Sequence, residues 1–183
     1  MDGRLVNVGT LTGGGEEAAE VLAVEPFASN IEAVYRNDAA RLVGLAEWIV
    51  GSRAVAEELV QDAFAKVVER PPRLEDPHAL SAYVRSAVVN GCRSKIRCVV
   101  LERKHKRTES ETYEDPDRPN EQIRLAVHGL PMRQRQVVVL RFYEDLTVDQ
   151  IAATLNIGSG SVKTHLHRAL SKLGNTLDER TEP

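Results

Sequence analysis

The chain has 183 residues, with 24 Lys and Arg against 27 Asp and Glu, a formal net charge of −3, 42% hydrophobic residues and only 4% aromatics. That length accommodates one ordinary domain or two small ones, and so few aromatics point to Leu, Val and Ala packing between helices rather than to a β-sandwich. No apolar run approaches the roughly 18 residues of a membrane span, and the N-terminus lacks the basic start and apolar stretch of a secretory signal, so a cytoplasmic protein without membrane insertion is expected.

The small net charge hides a strong pattern. Residues 1–70 hold 6 basic and 12 acidic side chains, residues 83–107 hold 8 and 1, residues 108–121 hold 1 and 6, and residues 159–173 hold 3 and none. Two basic patches separated by an acidic stretch suggest separate partners for separate faces. Cys92 and Cys98 stand six apart in a helical pattern, so at about 100° per residue they point about 120° apart and do not bridge. Reduced thiols are expected, and no C-x-x-C spacing supports a metal site with His105.

In chain order, residues 1–26 contain Gly13-Gly14-Gly15 and few large apolar side chains. They read as a disordered leader, with Glu16–Val24 a marginal helix. From Ile31 to Val50, Val34, Leu42, Leu45, Ala46 and Ile49 recur at helical spacing. Gly51-Ser52 ends that helix and starts the next. There Val55, Leu59, Ala63, Phe64 and Val67 form a stripe, while Glu58, Gln61 and Asp62 share the opposite face. Pro71-Pro72 stops this helix. The stretch to His78 is a loop, with a second turn signal at Asp76-Pro77. A third helix runs from Ala79 to Val89, bends near Asn90-Gly91 and continues to about Lys104. Residues 107–121, acidic and broken by Pro116 and Pro119, read as a flexible linker.

Helical spacing resumes in the last 60 residues. Pro131 suits a first helical position. Val137-Val138-Val139-Leu140 is β-branched, but charged flanks and the absence of a partner strand favour helix. Thr147 and Gln150 form a capping box ahead of an apolar face of Val148, Ile151, Ala152 and Leu155. Asn156-Ile157-Gly158 makes a short turn, and Ser159 is a candidate N-cap for a last helix. In that helix Val162, Leu166, Ala169, Leu170 and Leu173 face inward and Lys163, Thr164, His167 and Arg168 face out.

Two short helices joined by a Gly-containing turn, the second basic on its outer face, match a helix-turn-helix. Such a second helix presents base-edge donors to the major groove: Lys163 and Arg168 to guanine, Thr164 to several bases. Its N-terminus near Gly160 suits a phosphate. The expected fold class is therefore all-α, with two helical modules joined by a flexible acidic linker and a C-terminal helix-turn-helix.

The string Leu130-Pro131-x-Arg133-Gln134-Arg135-x-Val137-x-x-Leu140-Arg141-Phe142, then Leu146-Thr147-x-x-x-Ile151-Ala152, then Gly160-Ser161-Val162-Lys163-Thr164-x-Leu166-x-Arg168-Ala169, resembles the fourth region of bacterial sigma factors of the extracytoplasmic-function group. Ala56-Glu57-Glu58-Leu59-Val60-Gln61-Asp62-Ala63-Phe64 resembles the second region of the same family, and Tyr83–Arg97 with Asn90 fits it. Together the two stretches cover residues 31–173.

The resemblance implies a second-region domain at 27–106, a linker at 107–121 and a fourth-region domain at 122–178. It implies a subunit that binds core RNA polymerase and directs promoter-specific initiation, including recognition and melting of the minus-ten element. By position, Glu58, Gln61 and Asp62 would meet the clamp helices of the polymerase largest subunit. The loop from Pro71 to Leu80 with Tyr83 and Asn90 would capture an unstacked base of the minus-ten element, and Arg93, Lys95, Arg97, Arg103 and Lys104 would hold its phosphates. Arg141, Lys163, Thr164, His167 and Arg168 would read the minus-thirty-five element. The acidic linker would thread the polymerase channels, imitating nucleic acid. An anti-sigma protein is implied as a further partner, and a monomer when free. The chain departs from the family at Tyr83, where Trp is frequent, and at His165 and His167, which puts the promoter preference in doubt.

Other classes fit less well. A dimeric helix-turn-helix regulator of the quorum-sensing or response-regulator type would share Val162-Lys163-Thr164-His165-Leu166, but residues 27–105 lack the strand-helix alternation of its sensory domain. A helical adaptor explains the acidic helix and not the basic one. No Gly-rich phosphate loop, metal-spaced His/Cys set or nucleophile-base motif points to an enzyme or to a cofactor.

Overall fold

A computed structural model describes the backbone of residues 15–73, 79–105 and 121–178, and the side chains of residues 30–73, 79–98 and 121–176. The described residues form seven helices, α1 (Gly15–Val50), α2 (Arg53–Glu69), α3 (Ala79–His105), α4 (Glu121–His128), α5 (Met132–Phe142), α6 (Val148–Leu155) and α7 (Ser159–Asp178), and no strand occurs among them. Helices α1 to α3 pack on one another, as do α4 to α7.

Packing dominates over capping in the first half. Ser52 accepts only a long bond from the Val55 amide, 3.5 Å, at the limit of a useful cap. In contrast, α2 buries Ala56, Leu59, Val60, Ala63, Phe64 and Val67, and a large buried aliphatic or aromatic side chain is worth about 1.5–3 kcal/mol. The stripe covers Leu42, Leu45, Ala46 and Ile49 of α1 and Val84, Val88 and Val89 of α3. Pro71 follows the end of α2, where the Arg70 amide closes on the Lys66 carbonyl at 3.0 Å.

The sequence expectations for the helix bounds and faces need adjusting in several places. Helix α1 begins at Gly15 rather than near Ile31, because extending a nucleated helix costs far less than starting one. Helix α3 passes through Asn90-Gly91 without a break: a glycine weakens a helix by about 1 kcal/mol without ending it, and Val88, Val89 and Cys92 pin its buried face. Pro131 is the N-cap of α5, one residue before the helix. Leu170 is 45% exposed. Val162, Leu166, Ala169 and Leu173 already complete a stripe at i, i+4, i+7 and i+11, and Leu170 lies about 70° from its centre. The 137–140 run is helical and buried. The linker read at 107–121 falls almost entirely outside the described residues, as do residues 1–14 of the leader and 74–78 of the Pro71–Leu80 loop.

The two halves are not separate bodies. One hydrophobic core runs from Leu42, Ile49, Val60 and Val88 into Val137, Leu140, Ile151 and Val162, with α1 against α4 and α5 and α3 against α6. Among the described residues no helix is long and apolar enough to cross a membrane.

Candidate polymerase and nucleic-acid interfaces

Three surfaces carry the residues singled out from sequence. On α2, Glu58, Gln61 and Asp62 are all exposed, opposite the stripe that fixes the helix in the core. On α3, Tyr83 is 43% exposed, and Asn90, Arg93 and Arg97 are exposed. Lys95 is half-buried, and its Nζ donates to Glu58 Oε2 at 3.2 Å. The structure thus joins the acidic face and the basic face, which sequence assigned to different partners, through one ion pair. Exposed pairs of this kind are worth about 0–1 kcal/mol, so the pair yields readily to a stronger partner on either side. Arg103 and Lys104 lie on the last turns of α3, and their side chains fall outside the described residues.

Between α2 and α3 lies an open groove of about 440 Å³, whose walls include Leu59, Lys66, Asn90, Ser94, Lys95 and Cys98. Two ammonium groups, an amide and a hydroxyl beside an apolar wall suit a phosphate and a flat ring together. Sequence reasoning missed Lys66 here, because it stands isolated thirteen residues from Arg53, the other basic residue of α2, and only the packing of α3 brings it into one groove with Lys95. Cys92 is buried while Cys98 is exposed, as their angular offset required. Burial pushes the Cys92 thiol up to about 12, which leaves it inert.

The third surface is the outer face of α7. The preceding turn is fixed by several local bonds. Thr147 Oγ1 accepts from the Gln150 amide at 3.3 Å and Gln150 Oε1 accepts from the Thr147 amide at 2.9 Å, the expected capping box. Asn156 takes the left-handed conformation at φ 51°, which asparagine tolerates, and ends α6. Ser159 does not cap α7 by its side chain as expected: its hydroxyl donates to Asp149 Oδ1 at 2.7 Å, stapling the two helices, and the Gly158 carbonyl accepts from the Ser161 and Val162 amides. Val162 and Ala169 anchor α7 in the core, which turns Lys163, Thr164, His167 and Arg168 outward, all exposed. The Thr164 hydroxyl donates to the Gly160 carbonyl at 3.0 Å, so it meets a ligand first as an acceptor. Arg141 spends one guanidinium nitrogen on the Leu146 carbonyl, 3.0 Å, and lies 3.6 Å from Asp145. It therefore supports the turn before α6 and offers its remaining donors outward.

The basic surfaces of α3 and α7 are thus on separate helices, linked through α6, which packs on both. Among the described residues no group of three His, Cys, Asp or Glu side chains is placed to hold a metal ion.

Sequence reasoning also missed a set of buried polar groups between the two halves. Arg135 Nη1 donates to the Ile49 carbonyl at 2.7 Å, and Arg135 Nη2 donates to the His128 carbonyl. Gln136, fully buried, donates to the Val89 carbonyl at 3.2 Å and accepts from Arg133 at 3.3 Å. Arg124 meets Glu47 at 3.3 Å. The Glu144 carboxylate lies 3.1 Å from Arg41 and 3.6 Å from Arg85, with its side chain fully buried. Burial pushes Glu144 above the usual carboxylate range, against the pull of Arg41 and Arg85. Arg133 and Arg135 stand in the string quoted above, but nothing in sequence marks any of these residues as a partner across the two halves, and only tertiary packing does so.

Residues 34–99 match the family model described as Sigma-70 region 2, and residues 120–173 match Sigma-70, region 4. The chain is 32% identical over 171 residues to an RNA polymerase sigma-E factor of Streptomyces coelicolor, covering 88% of this chain and 89% of that one. It is 29% identical over 163 residues to the ECF RNA polymerase sigma factor SigL of Mycobacterium tuberculosis, covering 83% and 91%. Among solved structures, the sigma factor RpoE in complex with the anti-sigma factor NepR from Bartonella quintana superposes with a TM-score of 0.62 at 19% identity, covering 92% of this chain and 99% of that one. At that identity the likeness concerns the fold.

Proposed function

Because the chain belongs to the ECF group of RNA polymerase sigma factors and acts in promoter-specific transcription initiation, we propose that its three exposed surfaces divide that work. Residues 27–106 form the domain that meets polymerase and the minus-ten element, residues 107–121 the connecting linker, and residues 122–178 the domain that reads the minus-thirty-five element.

Glu58, Gln61 and Asp62 dock on the clamp helices of the polymerase largest subunit. The observation that carries this reading is that α2 exposes all three on one face while burying the opposite one. Docking releases Lys95 from Glu58 and returns it to the basic face of α3. There Arg93, Lys95, Arg97, Arg103 and Lys104 neutralise phosphates of the minus-ten element, while Tyr83 and Asn90 hold an unstacked base. Unstacking costs a few kcal/mol, offset by base–aromatic stacking of about 1–3 kcal/mol and by the phosphate contacts.

Helix α7 enters the major groove with Lys163, Thr164, His167 and Arg168 toward base edges and phosphates, and Arg141 holds a phosphate beside it. A small reading surface per element and a net charge of −3 imply weak DNA binding by the free monomer and specificity expressed in the holoenzyme. The chain itself supplies binding and no chemistry; nucleotidyl transfer stays with the polymerase. An anti-sigma protein is the further partner, by analogy with the similar sigma factor whose structure includes one.

The test is a pull-down with core RNA polymerase, comparing the wild type with Gln61→Ala/Asp62→Ala. Retention of the wild type and loss of the double variant supports the α2 assignment. Equal retention of both sinks it.

A further inference from the structure

The four side chains that α7 turns outward, Lys163, Thr164, His167 and Arg168, are all exposed, and they do not offer a base the same chemistry. Ammonium and guanidinium groups only donate, so Lys163 and Arg168 match ring-nitrogen and keto acceptors or a phosphate, and never an exocyclic amino group. The amino groups of cytosine and adenine need an acceptor on the protein. Of the four side chains, only Thr164 and a neutral His167 carry one.

By residue type a threonine reads any base, since its hydroxyl both donates and accepts. The structure removes that freedom. Thr164 Oγ1 donates to the Gly160 carbonyl at 3.0 Å, so its proton is engaged within the helix and its lone pairs are left for a ligand. Accepting from a base keeps this bond, whereas donating to a base gives it up. The difference is one hydrogen bond, a factor of about two to ten in affinity. A β-branched side chain on a helix also has few other rotamers to adopt.

The helix beneath Thr164 is held at several points. Val162 and Ala169, both buried, fix its roll. The Ser159 hydroxyl on Asp149 at 2.7 Å fixes its start. Lys172 Nζ, donating to the Gly129 carbonyl at 2.8 Å, ties its second half to the end of α4. The approach to Thr164 is open, because a Cβ added at Gly160, one turn earlier, would meet no atom within 4 Å.

We propose that Thr164 is a specificity-determining acceptor, which reads the exocyclic amino group of a cytosine or adenine in the minus-thirty-five element. This role rests on the reading of α7 as the helix for that element, and adds what the helix asks of one base. Thr164 and Arg168 stand four residues apart, about 6 Å along the helix axis. With α7 along the groove, the base read by Thr164 lies within about two steps of any base read by Arg168.

The experiment uses holoenzyme assembled from the full chain and core polymerase. Duplexes randomised over both promoter elements are selected on the wild type and on Thr164→Val, which keeps the shape and removes the acceptor. The expected result is a preference lost at one upstream base pair, by about two- to tenfold, with the other preferences kept, which also shows that α7 remains seated. Every base pair carries both an amino and a keto or ring acceptor edge, so base analogues at that pair then delete single groups. Pyrimidin-2-one for cytosine, or purine for adenine, removes the amino group. 2-Aminopurine for guanine, or 5-methylpyrimidin-2-one for thymine, removes the keto oxygen. Loss of the amino group should weaken the wild type and Thr164→Ser about two- to tenfold and leave Thr164→Val unchanged, a coupling that any general weakening of the duplex would not produce. No altered upstream pair in Thr164→Val overturns the proposal. So does an amino deletion felt equally by threonine and valine, which gives the contact to His167 or to another group. So does a coupling of Thr164 to the keto oxygen, which makes the hydroxyl a donor. A wild-type holoenzyme that enriches no upstream element overturns the reading of α7 itself, and the proposal with it.

Discussion

The sharpest quantitative test concerns His128, at the end of α4. Burial, and then the nearby Arg135 and Arg124 guanidinium groups, push its imidazole from 6.5 down to about 4. The folded chain therefore holds His128 neutral, whereas the unfolded chain protonates it near pH 6.5. Below that value the unfolded state binds the extra proton, so the contribution of His128 to stability is complete above about pH 6.5 and is lost as the pH falls toward about 4. At about 1.36 kcal/mol per pKa unit, the shift corresponds to about 3 kcal/mol in full, of which about 2.5 kcal/mol is lost between pH 7.5 and pH 4.5. Glu144, raised by burial, acts with the opposite sign: its contribution falls as the pH rises from the usual carboxylate value through its folded value. The wild-type curve alone is thus mixed, and the difference from His128→Gln isolates the histidine, because glutamine does not titrate. Urea unfolding at a series of pH values is the assay. The wild type should lose about 2–3 kcal/mol more than His128→Gln over that interval. Parallel curves for the two proteins would refute a buried neutral imidazole.

Other outcomes follow from particular contacts. Gly51 has φ 86°, and an added Cβ would lie 3.1 Å from His128 Cε1; Gly51→Ala should lower unfolding stability by about 1–2 kcal/mol for the backbone conformation, with part of any excess removed in the His128→Ala background. Thr147→Ala breaks the capping box of α6 and should cost about 1 kcal/mol in urea melts, while Asp149→Ala should loosen the staple to Ser159 and weaken promoter binding by the holoenzyme. Lys163→Ala should reduce the slope of log affinity against log salt by about 0.9 if Lys163 neutralises one phosphate, measured by holoenzyme binding to promoter fragments over a salt series; an unchanged slope with lowered affinity would assign it to a base edge instead.

The sequence alone determined the helices and most of their faces, because helix-period burial is a local property. Leu59, Phe64 and Val67 turn Glu58, Gln61 and Asp62 outward whatever else surrounds α2. Likewise Val162 and Ala169 turn Lys163 and Arg168 outward, and the Thr147 and Gln150 capping box lies within four residues. Local reading went astray where the deciding neighbour lay elsewhere in the chain. The hydroxyl of Ser159 goes to Asp149 rather than to its own helix, and Lys95 is drawn to Glu58 across two helices. Nothing near Gln136 or Glu144 in the chain tells what they meet in the other half, since Val89, Arg41 and Arg85 are all more than forty residues away. Only tertiary structure decided that the two halves share one core. A hydrophobic stripe specifies that it must be covered but carries no address for what covers it, and that choice is made by shape, by a missing side chain at Gly44, where a Cβ would strike Tyr143, and by which buried charges find one another.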